Sequence, residues 1–218
     1  MSEAPEDTLP LGVADEAPAA PAAPARKRPK PGERRIQILE TLAAMLEQPG
    51  AERITTAALA ARLEVSEAAL YRHFASKAQM FEGLIEFIES SVFTLVNQIT
   101  EREPSGAVQA QKITTMLLQF GEKNPGMTRV MVGDALVFEH ERLSARMNQF
   151  FDRVESQLRT SLRSAAEAAG SSTPTVDAQA LASAITSLAV GRLQRYARSG
   201  FKRLPTEHLE PALVRLSP

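Results

Sequence analysis

Apolar residues recur at intervals of three and four along nearly the whole chain after Gly32, and this spacing limits the folds available to it. Such spacing places side chains on one face of an α-helix, whereas a half-buried strand shows strict apolar–polar alternation. No such alternation lasts four residues between the helical segments. Helix-breaking stretches, such as Gln48-Pro49-Gly50 and Gly170-Ser171-Ser172-Thr173-Pro174, divide the segments from one another. The sequence therefore predicts an all-α fold.

The pattern predicts a succession of short and long helices. The first, about 33–47, carries Ile36, Leu39, Leu42, Ala43 and Leu46 as its stripe; a short second helix carries Leu59, Ala60 and Leu63; a third covers 67–74; and a fourth, about 77–101, carries Met80, Phe81, Leu84, Ile85, Ile88, Val92, Leu95 and Ile99. Further helices are expected over about 105–123, through Met127 to Met131, over 139–169 and 175–199, and near 206–216, where Pro211 interrupts the last.

The first 31 residues differ from the rest in composition. They are mostly Ala, Pro and acidic residues, and residues 1–25 carry five acidic and no basic side chains. Proline disfavours helix and removes a donor, and alanine buries too little apolar surface to offset the entropy of ordering. We expect residues 1–31 to be a disordered leader, followed by a DNA-binding domain over 32–77 and a helical dimerisation and partner-binding domain over 78–218.

Charge is unevenly distributed behind this leader. Residues 26–77 carry ten basic and six acidic side chains, although the whole chain has a formal net charge of −1. A local basic block suits a phosphate-bearing partner such as nucleic acid. The longest uncharged run, 178–191, is too short to span a bilayer, so no membrane span is expected.

The tight joint between the second and third helices indicates a helix-turn-helix. Only Glu64, Val65 and Ser66 separate them, which forces a large crossing angle. Thr55 and Thr56 are suited to cap the second helix, and Ser66 is suited to cap the third. Five apolar residues are predicted to face inward: Leu59, Leu63, Val65, Leu70 and Phe74. The residues left largely outward are Glu67, Ala68, Ala69, Tyr71, Arg72 and His73.

This outward face has the chemistry of a double-stranded DNA reader. A helix fits the major groove, where Arg72 can bind guanine or phosphate. Hydroxyls, backbone N–H groups at helix starts and cations suit phosphate oxygens. The predicted DNA-binding residues are Thr55, Thr56, Ser66, Glu67, Ala69, Tyr71, Arg72, His73 and Lys77.

These residues stand in an order that resembles a known family. Ile54-Thr55-Thr56-Ala57-Ala58-Leu59-Ala60, followed by Val65-Ser66-Glu67-Ala68-Ala69-Leu70-Tyr71-Arg72-His73-Phe74-Ala75-Ser76-Lys77, resembles the DNA-binding domain of TetR-type regulators. The resemblance implies that Tyr71, His73, Ser76 and Lys77 serve the phosphate backbone. Glu64 stands where the family usually has a glycine in a left-handed turn.

The second half is similar to the nucleoid occlusion factors within that family. The segments that carry the similarity are 84–89, 120–129, 135–139 with Arg142-Leu143, and 195–202, within a region of about 33–205. The resemblance implies a cytoplasmic, nucleoid-associated dimer that binds palindromic chromosomal sites and antagonises polymerisation of the division protein FtsZ. It places the C-terminal tail of FtsZ beside the fourth and fifth helices, at Phe87, Lys123 and Asn124.

Small residues in the last long helix bear on assembly. Ala182, Ala184, Ala189 and Gly191 permit close helix approach, so this helix and the one before it can form an isologous four-helix interface with a second copy. The same residues can instead fill the core of one protomer. A homodimer is expected, and further assembly on DNA stays open.

Signals for catalysis are weak. The absence of cysteine excludes disulfides, cysteine zinc sites and a thiol nucleophile. Glu139-His140-Glu141 lacks a second histidine at helical spacing, and Ser199-x-x-Lys202 lacks the companion motifs of penicillin-binding enzymes. We expect no enzyme, no metal and no cofactor. Two other functions stay open: a ligand-responsive transcriptional repressor, and a helical adaptor that does not bind DNA.

Overall fold

A computed structural model describes residues 32–48 and 53–216, all of whose regular elements are helical. The predicted leader and the Pro49-Gly50 break lie outside these residues. The helices are α1 (Glu33–Leu46), α2 (Thr56–Arg62), α3 (Glu67–Tyr71), α4 (Lys77–Arg102), α5 (Gly106–Lys123), α6 (Pro125–Met131), α7 (Glu141–Ala168), α8 (Pro174–Arg198) and α9 (Leu209–Leu216), with a 3₁₀ turn over Asp134–Leu136. The predicted all-α class is confirmed.

Several predicted boundaries move by a few residues. The third helix ends at Tyr71 rather than Phe74, and α7 begins at Glu141, after the 3₁₀ turn, rather than at residue 139. The last helix begins at Leu209, so Pro211 lies in its first turn. A first-turn proline costs no intrahelical hydrogen bond, because N–H groups there have no partner within the helix.

Two predicted core residues are wrong. Ile36 is 58% exposed, and Ile38, which is fully buried, takes its place on the inner face of α1. Leu95 is 39% exposed on α4, and Val96 is buried instead. The rest of each stripe is as predicted, since Leu42, Leu46, Ile88 and Val92 are buried, so only one position near an end of each stripe differs.

The α4 helix connects the two halves of the molecule. It packs against α1 at its start and against α5, α6 and α7 further along. Its buried side chains include Phe81, Leu84, Ile88 and Val92, each at most 1% exposed. Burial of one such large side chain contributes about 1.5–3 kcal/mol to stability, so packing holds α4 in both halves of the molecule.

A second connection joins α1 directly to α6. A Cβ atom added to Gly126 would lie 2.1 Å from the Ala43 carbonyl oxygen, so only glycine permits this approach of the two backbones. Gly126 follows Pro125, the first residue of α6, in the predicted Asn124-Pro125-Gly126 break. The N-terminal helices α1 to α3 therefore contact the C-terminal half through both α4 and α6.

Candidate nucleic-acid interface

The joint between α2 and α3 has helix-turn-helix geometry. Thr55 and Ser66 are the N-caps, and their hydroxyls accept hydrogen bonds from the backbone N–H groups of Ala58 and Ala69 at 3.1 and 3.3 Å. Between the helices, Glu64 has a φ of 55°, the left-handed conformation in which related turns favour glycine. The turn thus keeps its left-handed shape with a non-glycine residue.

Residues 67–74, which comprise α3 and the segment after it, have an inner and an outer face as predicted. Leu70 and Phe74 are at most 1% exposed, whereas Tyr71 is 45% exposed. Arg72 and His73 are also exposed. Arg72 has no ion-pair partner among the described residues, so its guanidinium is available to an incoming anion.

Other predicted contact residues contribute to the joint itself. The Thr56 hydroxyl donates a 2.6 Å hydrogen bond to the Glu67 carboxylate and so connects the first turns of α2 and α3. Ser66 is exposed and Ala69 half-buried. The bond holds the Glu67 carboxylate at the start of α3, where the helix dipole favours negative charge.

Arg35, which was not predicted, fixes the end of the recognition segment. Its Nη1 donates to the His73 carbonyl oxygen at 2.9 Å, and its guanidinium lies 4.1 Å from the centre of the Phe74 ring. This cation–π contact and hydrogen bond attach α1 to the segment that carries Arg72. The basic run near the start of α1 was the only signal for it in the sequence.

The start of α4 combines a helix cap with an ion pair. The Ser76 hydroxyl accepts from the Gln79 N–H at 3.2 Å, and Gln79 Oε1 accepts from the Ala75 N–H at 2.8 Å, an arrangement close to a capping box. The Lys77 ammonium pairs with the carboxylate of Glu139, whose side chain is only 9% exposed. A phosphate at Lys77 would therefore compete with an existing partner.

The residues predicted to bind a protein partner lie along α4 and at the end of α5. Phe87 is 48% exposed on α4, an unusual position for a phenylalanine, and Lys123 is exposed as the last residue of α5. Asn124 differs, because its side-chain amide donates to the Phe120 carbonyl oxygen at 2.7 Å and caps α5. Phe87 and Lys123 are thus free to meet a ligand, and Asn124 has a structural contact of its own.

Ion pairs attach α4 to α7 at two places. Arg142 donates to Glu82 at 2.7 Å, and Arg146 forms a two-pronged pair with Glu89 at 3.1 and 2.6 Å. The hydrogen bond from Glu89 raises the pKa of Arg146 above its usual value, with burial acting in the opposite direction. The pairs hold α4 and α7 in register.

Comparisons with known proteins agree with this geometry. The family described as bacterial regulatory proteins, tetR family, matches residues 38–84, and the family described as tetracyclin repressor-like, C-terminal domain, of the SlmA-like type, matches residues 105–215. The nucleoid occlusion factor SlmA of Idiomarina loihiensis is 52% identical over 175 residues, covering 80% of this chain and 89% of that protein. The chain belongs to the SlmA family of nucleoid occlusion factors. The SlmA of Vibrio cholerae is 49% identical over 185 residues, covering 84% of this chain and 94% of that protein.

Solved structures share the fold of this SlmA-family chain. A TetR-like transcriptional regulator from Rhodococcus sp. RHA1 superposes with a TM-score of 0.68 at 18% identity, covering 86% of this chain and 97% of that one. The regulator FadR from Bacillus subtilis, in complex with stearoyl-CoA, has a TM-score of 0.66 at 12% identity, covering 83% and 96%. At these identities the likeness establishes the TetR-like architecture alone.

Two polar residues considered in the sequence analysis, His140 and Ser199, form caps in this SlmA-family chain. His140 caps α7 and accepts from the Arg142 N–H, and the Ser199 hydroxyl caps the loop by accepting from the Lys202 N–H at 3.1 Å. Within residues 32–48 and 53–216, no group of three metal-binding side chains occurs. In the same ranges no helix has the length and apolar character needed to cross a membrane.

Proposed function

We propose that this chain is a dimeric, nucleoid-associated protein of the cytoplasm that binds palindromic chromosomal DNA and, when bound, inhibits FtsZ polymerisation. Membership in the SlmA family supports the proposal. The observation that carries it is the presence of two separate exposed surfaces on one molecule, Tyr71 to His73 beside α3 and Phe87 on α4. In this proposal residues 32–77 form the DNA-binding domain and 78–218 the dimerisation and partner-binding domain.

For DNA, we assign the base-reading role to Arg72 and backbone roles to its neighbours. A guanidinium can bind guanine O6 and N7 together, and that of Arg72 has no ion-pair partner within residues 32–48 and 53–216. Tyr71 and His73 are exposed beside it and can donate to phosphate oxygens. The caps Thr55 and Ser66, with Thr56, Glu67 and Ala69, position the helix starts against the backbone, and Lys77 adds a cation.

For assembly, we propose that the outer face of the α7–α8 pair forms an isologous dimer. Ala182 and Ala189 are at most 1% exposed inside the protomer, so these two small residues serve its own core. Ala184 is exposed, and Gly191 has no atom within 4 Å of an added Cβ, so both remain open to a second copy. A dimer would present two recognition helices, which on one face of B-DNA are about 34–36 Å apart.

For the protein partner, we propose that the FtsZ tail lies beside α4 and α5. Phe87 offers an apolar anchor, and exposed aromatic side chains of this kind often dominate binding energy. Lys123 supplies a cation that suits an acidic peptide, and the C-terminus of α5 adds to the binding surface through Asn124.

The ligand-responsive alternative needs an internal pocket in the C-terminal half. The centre of that half is a cluster of apolar side chains at most 1% exposed, namely Ile88, Val92, Ile113, Leu117, Phe150, Val154 and Leu158. The adaptor alternative gives no reason for an exposed Arg72 that has no ion-pair partner among the described residues. Membership in the SlmA family favours the division-inhibitor function over both.

A polymerisation assay tests this function. FtsZ and GTP are mixed with the protein, with and without a duplex selected from a random pool by binding to it, and polymers are measured by light scattering. We expect strong inhibition only with the selected duplex. No duplex-dependent effect on the polymers would contradict the proposal, and release of the duplex by a small molecule would favour a repressor.

A further inference from the structure

Side-chain hydrogen bonds hold the last turn of α5 to its neighbours. The final carbonyl oxygens of a helix are short of backbone partners. Three of them here each accept from a side chain: Phe120 from the Asn124 amide at 2.7 Å, Gly121 from the Thr128 hydroxyl at 2.7 Å, and Glu122 from the Tyr196 hydroxyl at 3.0 Å. The end of α5 is therefore attached to both α6 and α8.

Close packing of α5 on α8 supports this attachment. A Cβ atom added to Gly121 would lie 2.4 Å from Leu193 Cδ2 and 2.9 Å from the Thr128 hydroxyl oxygen, so the glycine permits the approach. Leu193 and Tyr196 are at most 3% exposed. These contacts lie inside one protomer, apart from the outer side of α8 that is proposed for dimerisation.

The Glu122 side chain connects the same turn to the loop before α9. Its carboxylate accepts a 2.5 Å hydrogen bond from the Thr206 hydroxyl, 84 positions later in the sequence. A hydrogen bond to a charged acceptor is about twice as strong as one between neutral groups. Both side chains belong to half-buried residues, so water screens this bond only in part.

Lys123 follows Glu122 but has a different environment. Adjacent residues on a helix do not face each other, so a bond that holds Glu122 against the loop leaves the next side chain outside. Lys123 is exposed and has no ion-pair partner within residues 32–48 and 53–216. A fixed backbone beneath a long, flexible side chain lowers the entropy cost of forming an ion pair.

We propose that Thr206 and Glu122 are positioning residues for Lys123, a role that rests on the proposed binding of the FtsZ tail at Lys123. Their hydrogen bond holds the last turn of α5, so that the ammonium group is presented to the carboxylates of an acidic peptide. Neither Thr206 nor Glu122 touches the peptide. Loss of the Thr206 hydroxyl would leave the Glu122 carboxylate without this partner, and Lys123 would be held less firmly.

Peptide binding to the full chain tests this role. A fluorescein-labelled peptide of the FtsZ C-terminal tail is titrated with protein bound to the selected duplex, and fluorescence anisotropy is measured. Thr206→Val keeps the shape of the side chain but removes the donor, and it should weaken peptide binding about threefold, the order of a solvent-exposed ion pair. Thr206→Ser, which keeps a hydroxyl, should bind as the wild type does.

A matched control removes a threonine hydroxyl from another helix. The Thr41 hydroxyl donates to the Gln37 carbonyl oxygen of α1 at 2.8 Å, so Thr41→Val also breaks one side-chain hydrogen bond. It should leave peptide binding unchanged. Circular dichroism shows whether each variant is folded, and the affinity of Thr206→Val for the selected duplex should equal that of the wild type.

A double-mutant cycle separates positioning from a general loss of structure. Lys123→Gln should weaken peptide binding about fivefold. In that background Thr206→Val should cause no further loss, because a residue that acts through Lys123 then has no cation to position. A general structural effect of Thr206→Val would instead add its full threefold loss to that of Lys123→Gln.

Four results would overturn the positioning role while the wild type still binds the peptide. These are wild-type affinity in Thr206→Val, weak binding by Thr206→Ser, equal weakening by Thr41→Val, or losses that multiply in the double variant. Absence of peptide binding by the wild type, or no effect of Lys123→Gln, would contradict the proposed FtsZ site itself and the positioning role with it.

Discussion

The ammonium group of Lys77 forms an ion pair with the carboxylate of Glu139, 62 positions later in the sequence. Lys77 is the first residue of α4, directly after the helix-turn-helix, and Glu139 precedes α7. The same ammonium lies 5.7 Å from the Phe81 ring. A residue at the predicted DNA surface is thus bonded to a nearly buried group of the C-terminal half, and a DNA phosphate would have to share or replace that bond.

The first prediction concerns this shared cation. Lys77→Gln should weaken duplex binding and reduce the slope of log affinity against log salt by about 1, because one phosphate contact is lost. Glu139→Gln should strengthen duplex binding, because the ammonium becomes available to phosphate. Fluorescence anisotropy over a series of salt concentrations measures both. If Glu139→Gln leaves the affinity unchanged, Lys77 does not contact DNA.

Arg72→Ala should weaken binding to the selected duplex by about 1–3 kcal/mol and relax preference at one base position. The reason is the loss of the guanidinium that we assign to guanine. Competition with duplexes substituted one position at a time measures the change in preference. Arg163→Ala, which removes an exposed arginine paired with Glu167 on α7, serves as the control and should bind as the wild type does.

Lys123→Glu should reduce the effect on FtsZ polymers while leaving duplex affinity intact. The change reverses the charge at the end of α5, which would repel an acidic peptide. Lys112→Glu, at an exposed position on the same helix, is the control. An equal fall in duplex affinity for Lys123→Glu would mean that the two surfaces are not separate.

Gly126→Ala should destabilise the protein by about 3 kcal/mol or more, because its Cβ would overlap the Ala43 carbonyl oxygen. Urea unfolding followed by circular dichroism measures the loss. Gly83→Ala is the comparison: an added Cβ there meets the ends of the Leu39 side chain at 3.0 and 3.1 Å, which can shift, so its loss should be clearly smaller. Similar losses for both variants would contradict the close approach of α1 and α6.

The pH dependence of stability should show the environment of Tyr196. Burial, with smaller effects from Glu122 and Glu47, raises the pKa of Tyr196 above its usual value of 10.0, and its hydroxyl donates to the Glu122 carbonyl oxygen at 3.0 Å. The folded state therefore retains this proton more strongly than the unfolded state, and stability falls as pH rises above about 10. Alkaline titration of tyrosinate absorbance in the wild type and in Tyr196→Phe measures the shifted step. Ionisation of Tyr196 at the usual tyrosine pKa would contradict the effect of burial.

Local features of the fold could be predicted from the sequence because they depend on neighbouring residues. The caps Thr55 and Ser66, the joint at Glu64, and the buried pair Leu70 and Phe74 all lie within 20 residues of one another. The inner face of a helix depends on its packing partners instead. Ile36 and Ile38 differ by two positions on α1, and either fits an apolar stripe, so the sequence alone could not select Ile38.

Long-range polar contacts could not be predicted at all. The pairs Lys77–Glu139 and Arg146–Glu89 join residues 62 and 57 positions apart, and no local spacing marks them. Arg35 was visible only as part of a basic run, although its bond to the His73 carbonyl spans 38 positions. These contacts depend on how the helices meet, which the periodic pattern leaves open.

The α4 helix is continuous from Lys77 to Arg102. Phe87 lies ten residues after Lys77, about 15 Å further along the axis of this helix. If DNA tilts or rotates the first turn of α4, the unbroken helix is a direct path from that turn to Phe87. Under the proposed function, one continuous element would then connect the surface for the nucleic acid with the surface for the division protein.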